Sequence, residues 1–135
     1  NRLPVIEAVA PQMNQLFYNL LSNSLKFVSE TESPRISISA EEITGAKLAE
    51  YPSLRPSGRY TKIVFSDNGI GFDPEYAEQI FAIFERLSKS YEGTGIGLAL
   101  CRQIVEQHGG IIRAGRKETA GSDFIILLPY SQQQT

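Results

Sequence analysis

Met13, Leu16, Phe17, Leu20 and Leu21 stand at the i, i+3, i+4, i+7 and i+8 positions of one segment, and this spacing constrains the chain more than any other feature. At about 100° per residue these side chains form one apolar stripe, so the segment folds as a helix whose greasy side another layer must cover. Pro11 suits a first turn, where its missing N–H costs nothing, and the pattern carries the helix over about residues 11–28. The cover comes from segments of a different period. Ile36 and Ile38 alternate with Arg35, Ser37 and Ser39 in a half-buried strand over residues 34–42 that ends near Thr44. Residues 60–66, with Ile63, Val64 and Phe65, read as a second strand, and residues 111–116 and 123–128 as two more. The apolar residues 3–10 are expected to form an opening edge strand, and residues 75–81 a short helix. Residues 95–108 show helical periodicity through Ile96, Leu100, Ile104 and Val105, stopped by Gly109 and Gly110. Residues 45–58 hold prolines, glycines and little periodicity, and are expected to form a surface loop without chemistry. This order predicts an α/β fold: a two-layer α/β sandwich in which about three helices cover one face of a mixed sheet.

Charge and cysteine content narrow the function. The 135 residues carry a net charge of -2 with Lys and Arg scattered, so no broad positive face exists to neutralise a phosphodiester backbone, and nucleic acid is excluded as a partner. No stretch reaches the roughly 18 to 20 apolar residues of a membrane span, so no membrane insertion by this chain is expected. The single cysteine, Cys101, lies in an apolar helical run and reads as a small buried hydrophobe, which favours a reducing, cytoplasmic location.

Three segments carry chemistry. On the first helix Asn19, Asn23, Lys26 and Phe27 project to one side, away from the greasy stripe. Two amides and an ammonium beside a packed face suit a phosphate chain held with a hard divalent ion such as Mg2+, although a solvated helix face has a similar composition. Residues 67–73 read DNGIGFD and follow a strand. A carboxylate there accepts a hydrogen bond from an exocyclic amine, and the glycines after it let a ring approach; a plain Asn-Gly turn is the alternative. Residues 93–97 read GTGIG and open a helix, so their amides face an anion. Spacing excludes a calcium loop, a dinucleotide fingerprint and a Walker loop.

Taken in order, these segments resemble the nucleotide-binding family of histidine kinases, DNA gyrase, mismatch-repair ATPases and heat-shock chaperones, and the likeness spans nearly the whole chain. NLLSNSLKF, from Asn19 to Phe27, is similar to the histidine-kinase N box; DNGIGF to the first glycine box; FAIFERL, from Phe81 to Leu87, to the F box; and GTGIGLAL, from Gly93 to Leu100, to the second glycine box. The resemblance implies a Bergerat-type ATP-binding fold and two ligands, ATP and Mg2+. It implies Asn23 as the metal ligand, Lys26 as a phosphate contact and Asn19 as part of the catalytic face. Phe27 would stack near adenine, Asp67 would bind its amine, and Gly69 and Gly71 would make room for the base. Gly93, Gly95 and Gly97 would hinge an ATP lid, with Thr94 and Leu98 beside the nucleotide. Phe81 and Phe84 would anchor the lid, and Arg86 or Lys89 would reach the terminal phosphate.

In the family's ATPase branches a glutamate that activates water stands four residues before the metal asparagine, and here that position is Asn19. An amide cannot take a proton, so the resemblance favours transfer to a histidine over hydrolysis. The one histidine, His108, sits at a helix end in EQHGG and is expected to cap or pack there. The resemblance thus implies residues 1–135 as a catalytic domain without its first strand, and a phosphoacceptor dimerisation domain elsewhere in the protein. It also implies a response regulator downstream, a monomeric chain and a homodimeric parent. An ATP-hydrolysing switch, a serine kinase and a degenerate nucleotide-binding module are the rival readings.

Overall fold

The computed structural model describes residues 3–26, 33, 35–68, 96–116 and 121–132. Among the described residues two α-helices and four strands follow one another: α1 (Ala10–Lys26), β1 (Ile36–Thr44), β2 (Arg59–Asp67), α2 (Ile96–Gln107), β3 (Ile111–Arg116) and β4 (Ser122–Pro129). The strands form one sheet in the order β1-β2-β4-β3, so β2 and β4 are internal. The expected two-layer arrangement is present, but every described pairing is antiparallel, where a mixed sheet was expected. Residues 3–9 are not the edge strand that their apolar character suggested. They touch the sheet through the Glu7 N–H, which donates to the Tyr130 carbonyl at 2.9 Å. Ile6 packs on the core while Val5 stays 91% exposed, so the segment is a strap rather than a strand. The expected helix over residues 75–81 lies outside the described residues.

The stripe on α1 finds its cover as the periodicity requires. Leu16 and Leu20 are fully buried, and Met13, Phe17 and Leu21 pack around them. They meet Leu98, Cys101, Ile104 and Val105 of α2 and the inward residues Ile63, Phe65, Ile112, Phe124, Ile126 and Leu128 of the sheet. Period-two alternation keeps Ile63 and Phe65 on this face, and the register Ile63↔Ile126 and Phe65↔Phe124 stacks them across the internal strands. Thr61 lies on the same face and is fully buried, with no hydrogen-bond partner for its Oγ1 among the described residues. Removing that hydroxyl relieves a buried polar group, so Thr61→Val is expected to raise the unfolding free energy by about 1 kcal/mol. Urea titration measures this, and a loss of stability would show that the hydroxyl has a role.

α2 ends in a pair of glycines with separate duties. Gly109 takes φ 81° and donates to Glu106, while the Gly110 N–H donates to Val105, both at 3.0 Å, closing the helix in a Schellman turn. A Cβ on Gly110 would overlap the Leu127 carbonyl oxygen and lie 3.1 Å from its carbon, so β4 passes where a side chain would be. His108, just before them, is 3% exposed. Its Nδ1 lies 2.8 Å from the Ile104 carbonyl, and its Nε2 accepts the Val9 N–H at 3.1 Å. Those bonds assign the Nδ1–H tautomer and tie the end of α2 to the start of α1. The expected packing role at a helix end is therefore what His108 has.

The segment between β1 and β2 departs from its expectation. A 3₁₀ helix, Gly45–Glu50, starts it, and Leu48, Tyr51 and Leu54 are buried against Ile43, Tyr60 and Leu127 on the sheet face opposite the helices. The Arg113 guanidinium covers the Tyr51 ring at 4.8 Å, and Tyr60 Oη accepts the Arg55 N–H at 3.2 Å. Only Leu48 lies within the 3₁₀ helix; the Tyr51 N–H donates to the Leu48 carbonyl at 2.9 Å and the Leu54 N–H to the Tyr51 carbonyl at 3.0 Å, so successive turns beyond the helix let a stretch without α or β period build a small second core.

Candidate functional site

Asp67 ends the internal strand β2 and, by alternation with Ile63 and Phe65, faces the helix layer. It is 6% exposed, an unusual burial for a carboxylate and one expected of a group that works inside a cleft. The strand ends are tied on both sides. Ile36 of β1 pairs with Asp67, and the Ser66 hydroxyl donates to Asp123 Oδ1 of β4 at 2.6 Å. The next residue, Asn68, is bonded rather than merely turning. Its N–H donates to the Arg35 carbonyl at 3.2 Å, its Oδ1 accepts the Arg35 N–H at 2.7 Å, and its Nδ2 donates to the Ser33 carbonyl at 2.9 Å.

α1 lies above this strand. The rings of Phe17 and Phe65 meet at 5.3 Å and 40°, two residues before Asp67. Asn19 sits at the seam of α1 with α2, where its Oδ1 accepts the Gln15 Nε2–H at 3.0 Å and its side chain bonds the Cys101 thiol. Asn23 follows one turn later and Lys26 is the last described residue of the helix, each described by its backbone alone. The fully buried Cys101 also lies 3.9 Å from the Leu16 carbonyl. Burial pushes its thiol up to about 12, against smaller lowering effects of the bond to Asn19 and of the backbone, so at neutral pH it is protonated. Cys101 is thus the packing residue expected, not a nucleophile. Leu98, expected beside a nucleotide, is 4% exposed within the main core, so its side chain serves packing in this structure.

The core brings three motif-bearing segments to one place. Leu20 lies between Asn19 and Asn23, Phe65 lies before Asp67, Leu98 follows Gly97, and all three belong to one apolar cluster. Gly97 is in the first turn of α2, described by its backbone alone. Phe27, Gly69, Gly71, Phe81, Phe84, Arg86, Lys89, Gly93, Thr94 and Gly95 lie outside the described residues. Sequence reasoning did not single out three residues that touch these positions: Gln15, which bonds Asn19; Asn68, which reads from sequence as a turn residue; and Gly121, just before β4. The first had a signal, since an amide pair at i, i+4 shares a helix face. The third had none, because a glycine before a strand is common in any hairpin.

The donor set bears on a metal. Among the described residues no three His, Cys, Asp or Glu side chains gather into a metal-holding cluster. An ion such as Mg2+ keeps several waters and binds through one or two protein oxygens plus phosphates, so a lone amide ligand on α1 fits an ion arriving with a triphosphate. Among the same residues no helix is long and apolar enough to cross a membrane.

The comparisons agree with this layout. The family described as "Histidine kinase-, DNA gyrase B-, and HSP90-like ATPase" matches residues 8–132. Cyanobacterial phytochrome A of Nostoc sp. is 40% identical over 129 residues, which cover 94% of this chain and 15% of the relative. The methanogenesis regulatory histidine kinase FilI of Methanothrix harundinacea is 33% identical over 118 residues, covering 87% of this chain and 12% of that protein. The chain therefore spans about an eighth to a seventh of these relatives' length. Among solved structures, the catalytic domain of histidine kinase ThkA superposes with a TM-score of 0.72 at 26% identity, over 96% of this chain and 74% of that one. With the sheet, the helix layer and the motif order all in place, the chain belongs to the histidine kinase-, DNA gyrase B- and HSP90-like ATPase family, and it is similar to the catalytic domain of a histidine kinase.

Proposed function

We propose that this domain binds Mg-ATP and donates the γ-phosphoryl group to a histidine on a separate dimerisation domain. The observation that carries the reading is the buried Asp67 carboxylate at the end of β2, set under the helix that bears Asn19, Asn23 and Lys26. Asp67 accepts the adenine amine, and the room for the base is made by Gly69 and Gly71. Phe27 stacks beside it. Asn23 supplies one oxygen to Mg2+, and Lys26 a charge to the phosphates. When bound, the ion neutralises charge on the triphosphate. Gly93, Thr94, Gly95 and Gly97 border the phosphates as the lid's hinge, Phe81 and Phe84 seat the lid, and Arg86 reaches the terminal phosphate.

Asn19 decides between transfer and hydrolysis. Its amide oxygen already accepts the Gln15 N–H, and an amide has no basic lone pair to take a proton from water. A histidine imidazole needs no such base: its nitrogen attacks the γ-phosphorus, the bond to the bridging oxygen breaks, and ADP leaves. His108 is not that histidine, being buried with both ring nitrogens engaged. The acceptor lies on the dimerisation domain of a homodimeric cytoplasmic kinase portion, and a response regulator takes the phosphoryl group from it.

Incubating the chain with γ-labelled ATP, with and without a supplied histidine-bearing acceptor domain, tests this. Label should appear on the acceptor in an acid-labile, base-stable form, while phosphate release from the chain alone stays near background. Rapid hydrolysis without transfer would refute the kinase reading in favour of the ATPase switch.

A further inference from the structure

We infer that Asn68 and Gly121 are positioning residues for Asp67, gripping the end of β2 from the segments that lead into its two flanking strands and so setting the base selectivity of the site. This rests on the reading of Asp67 as the adenine acceptor.

The grip differs on the two sides. Toward β1, regular pairing ends at Ile36↔Asp67, and the Asn68 side chain then continues it. Its Oδ1 takes the Arg35 N–H at 2.7 Å and its Nδ2 reaches the Ser33 carbonyl at 2.9 Å, beside the backbone bond from Asn68 N–H to the Arg35 carbonyl. An amide supplies the donor and the acceptor that a further pair of strand residues would have supplied. Toward β4, contact is made by the absence of a side chain. Gly121 takes φ 98°, and a Cβ on it would overlap the Asp67 carbonyl oxygen, at 2.7 Å from the Asp67 carbonyl carbon and 2.9 Å from Asn68 Cα. The residue just before β4 thus rests directly on the Asp67–Asn68 peptide. Ser66 Oγ is held by Asp123 of β4, Asp67 pairs with Ile36 of β1, and Asn68 is bonded to the segment just before β1, so three consecutive residues are each tied to neighbouring chain.

Such fixing matters for selectivity because a carboxylate tells an amine donor from a carbonyl acceptor only when it cannot shift. A tolerance of roughly 0.5 Å separates a site that discriminates from one that only binds. A purely architectural role for the same contacts would lower stability or weaken all nucleotides alike.

The experiment is displacement of a fluorescent ATP analogue by ADP and by GDP, on the wild type, Asp67→Asn, Asn68→Ala, Asn68→Asp and Gly121→Ala. Asn68→Ala and Gly121→Ala are expected to lower the ratio of GDP to ADP dissociation constants by about tenfold, the loss of roughly one well-placed hydrogen bond. Asn68→Asp keeps the acceptor for the Arg35 N–H and should recover part of the ratio. An unchanged ratio in Asn68→Ala, with ADP and GDP weakened equally, overturns the inference while Asp67→Asn still abolishes selectivity. An unchanged ratio in Asp67→Asn overturns the adenine reading and the inference with it. Should Gly121→Ala not fold, Asn68→Ala decides alone.

Discussion

Asp67→Asn is expected to weaken ADP binding about 10- to 100-fold and to abolish the preference for adenine over guanine. A charged acceptor buried at a strand end gains more from one hydrogen bond than an exposed one, with charge-assisted bonds contributing about 1.5 to 3 kcal/mol. The amide that replaces it keeps one acceptor but adds a donor. It can therefore turn its Nδ2 toward the guanine O6, which the carboxylate repels. Two effects then act together: the adenine complex loses a charge-assisted bond, and the guanine complex loses a repulsion. Only the ratio of the two affinities separates this from general damage, because loss of fold lowers both. Competition between ADP and GDP for a fluorescent ATP analogue measures the ratio, and its persistence in the variant would remove Asp67 from the base pocket.

Asn23→Ala should have the largest effect on transfer, on the order of 100-fold or more, with a smaller effect on nucleotide affinity measured without metal. Positioned groups that meet charge developing in the transition state contribute that much when single donors are removed from other active sites. The asparagine lies in the last turn given for α1, one turn after Asn19, and alanine is the best helix former, so the substitution leaves the helix in place. What goes is one oxygen ligand. In wild type, Mg2+ should tighten triphosphate binding; in the variant the two titrations, with Mg2+ and with EDTA, should coincide. If Mg2+ still tightens binding to the wild-type extent, the metal ligand is elsewhere.

α1 and the strands were legible because their side chains obey periods that burial imposes locally. The stripe of Met13, Leu16, Phe17, Leu20 and Leu21 packs as its spacing requires, and the described part of the helix, Ala10–Lys26, starts one residue before the expected residue 11. The strand of residues 111–116 matches Ile111–Arg116, and the double glycine stop closes α2. The apolar residues 3–9 misled because hydrophobicity alone cannot tell a strand from a strap that leaves Val5 in solvent. Residues 45–58 misled for the opposite reason, since Leu48, Tyr51 and Leu54 recur every third position and only a 3₁₀ helix followed by turns over an open sheet face gives that spacing a meaning.

The site divides along the same line. Local sequence determined which residue types could do chemistry: an amide-bearing helix, a carboxylate closing a strand and two glycine turns, in an order that matched one family. Tertiary structure decided how they are held. Gly121 stands 54 residues after Asp67, and nothing in the chain between them announces that one backbone rests on the other. The same holds for the clamp of Asn68 on Ser33 and Arg35, and for the ring nitrogens of His108, which bind helix ends 99 and 4 residues away. Periodicity reports which face of an element is buried, but contacts between distant strands depend on register. Register is set by the packing of the whole sheet and not by any single segment.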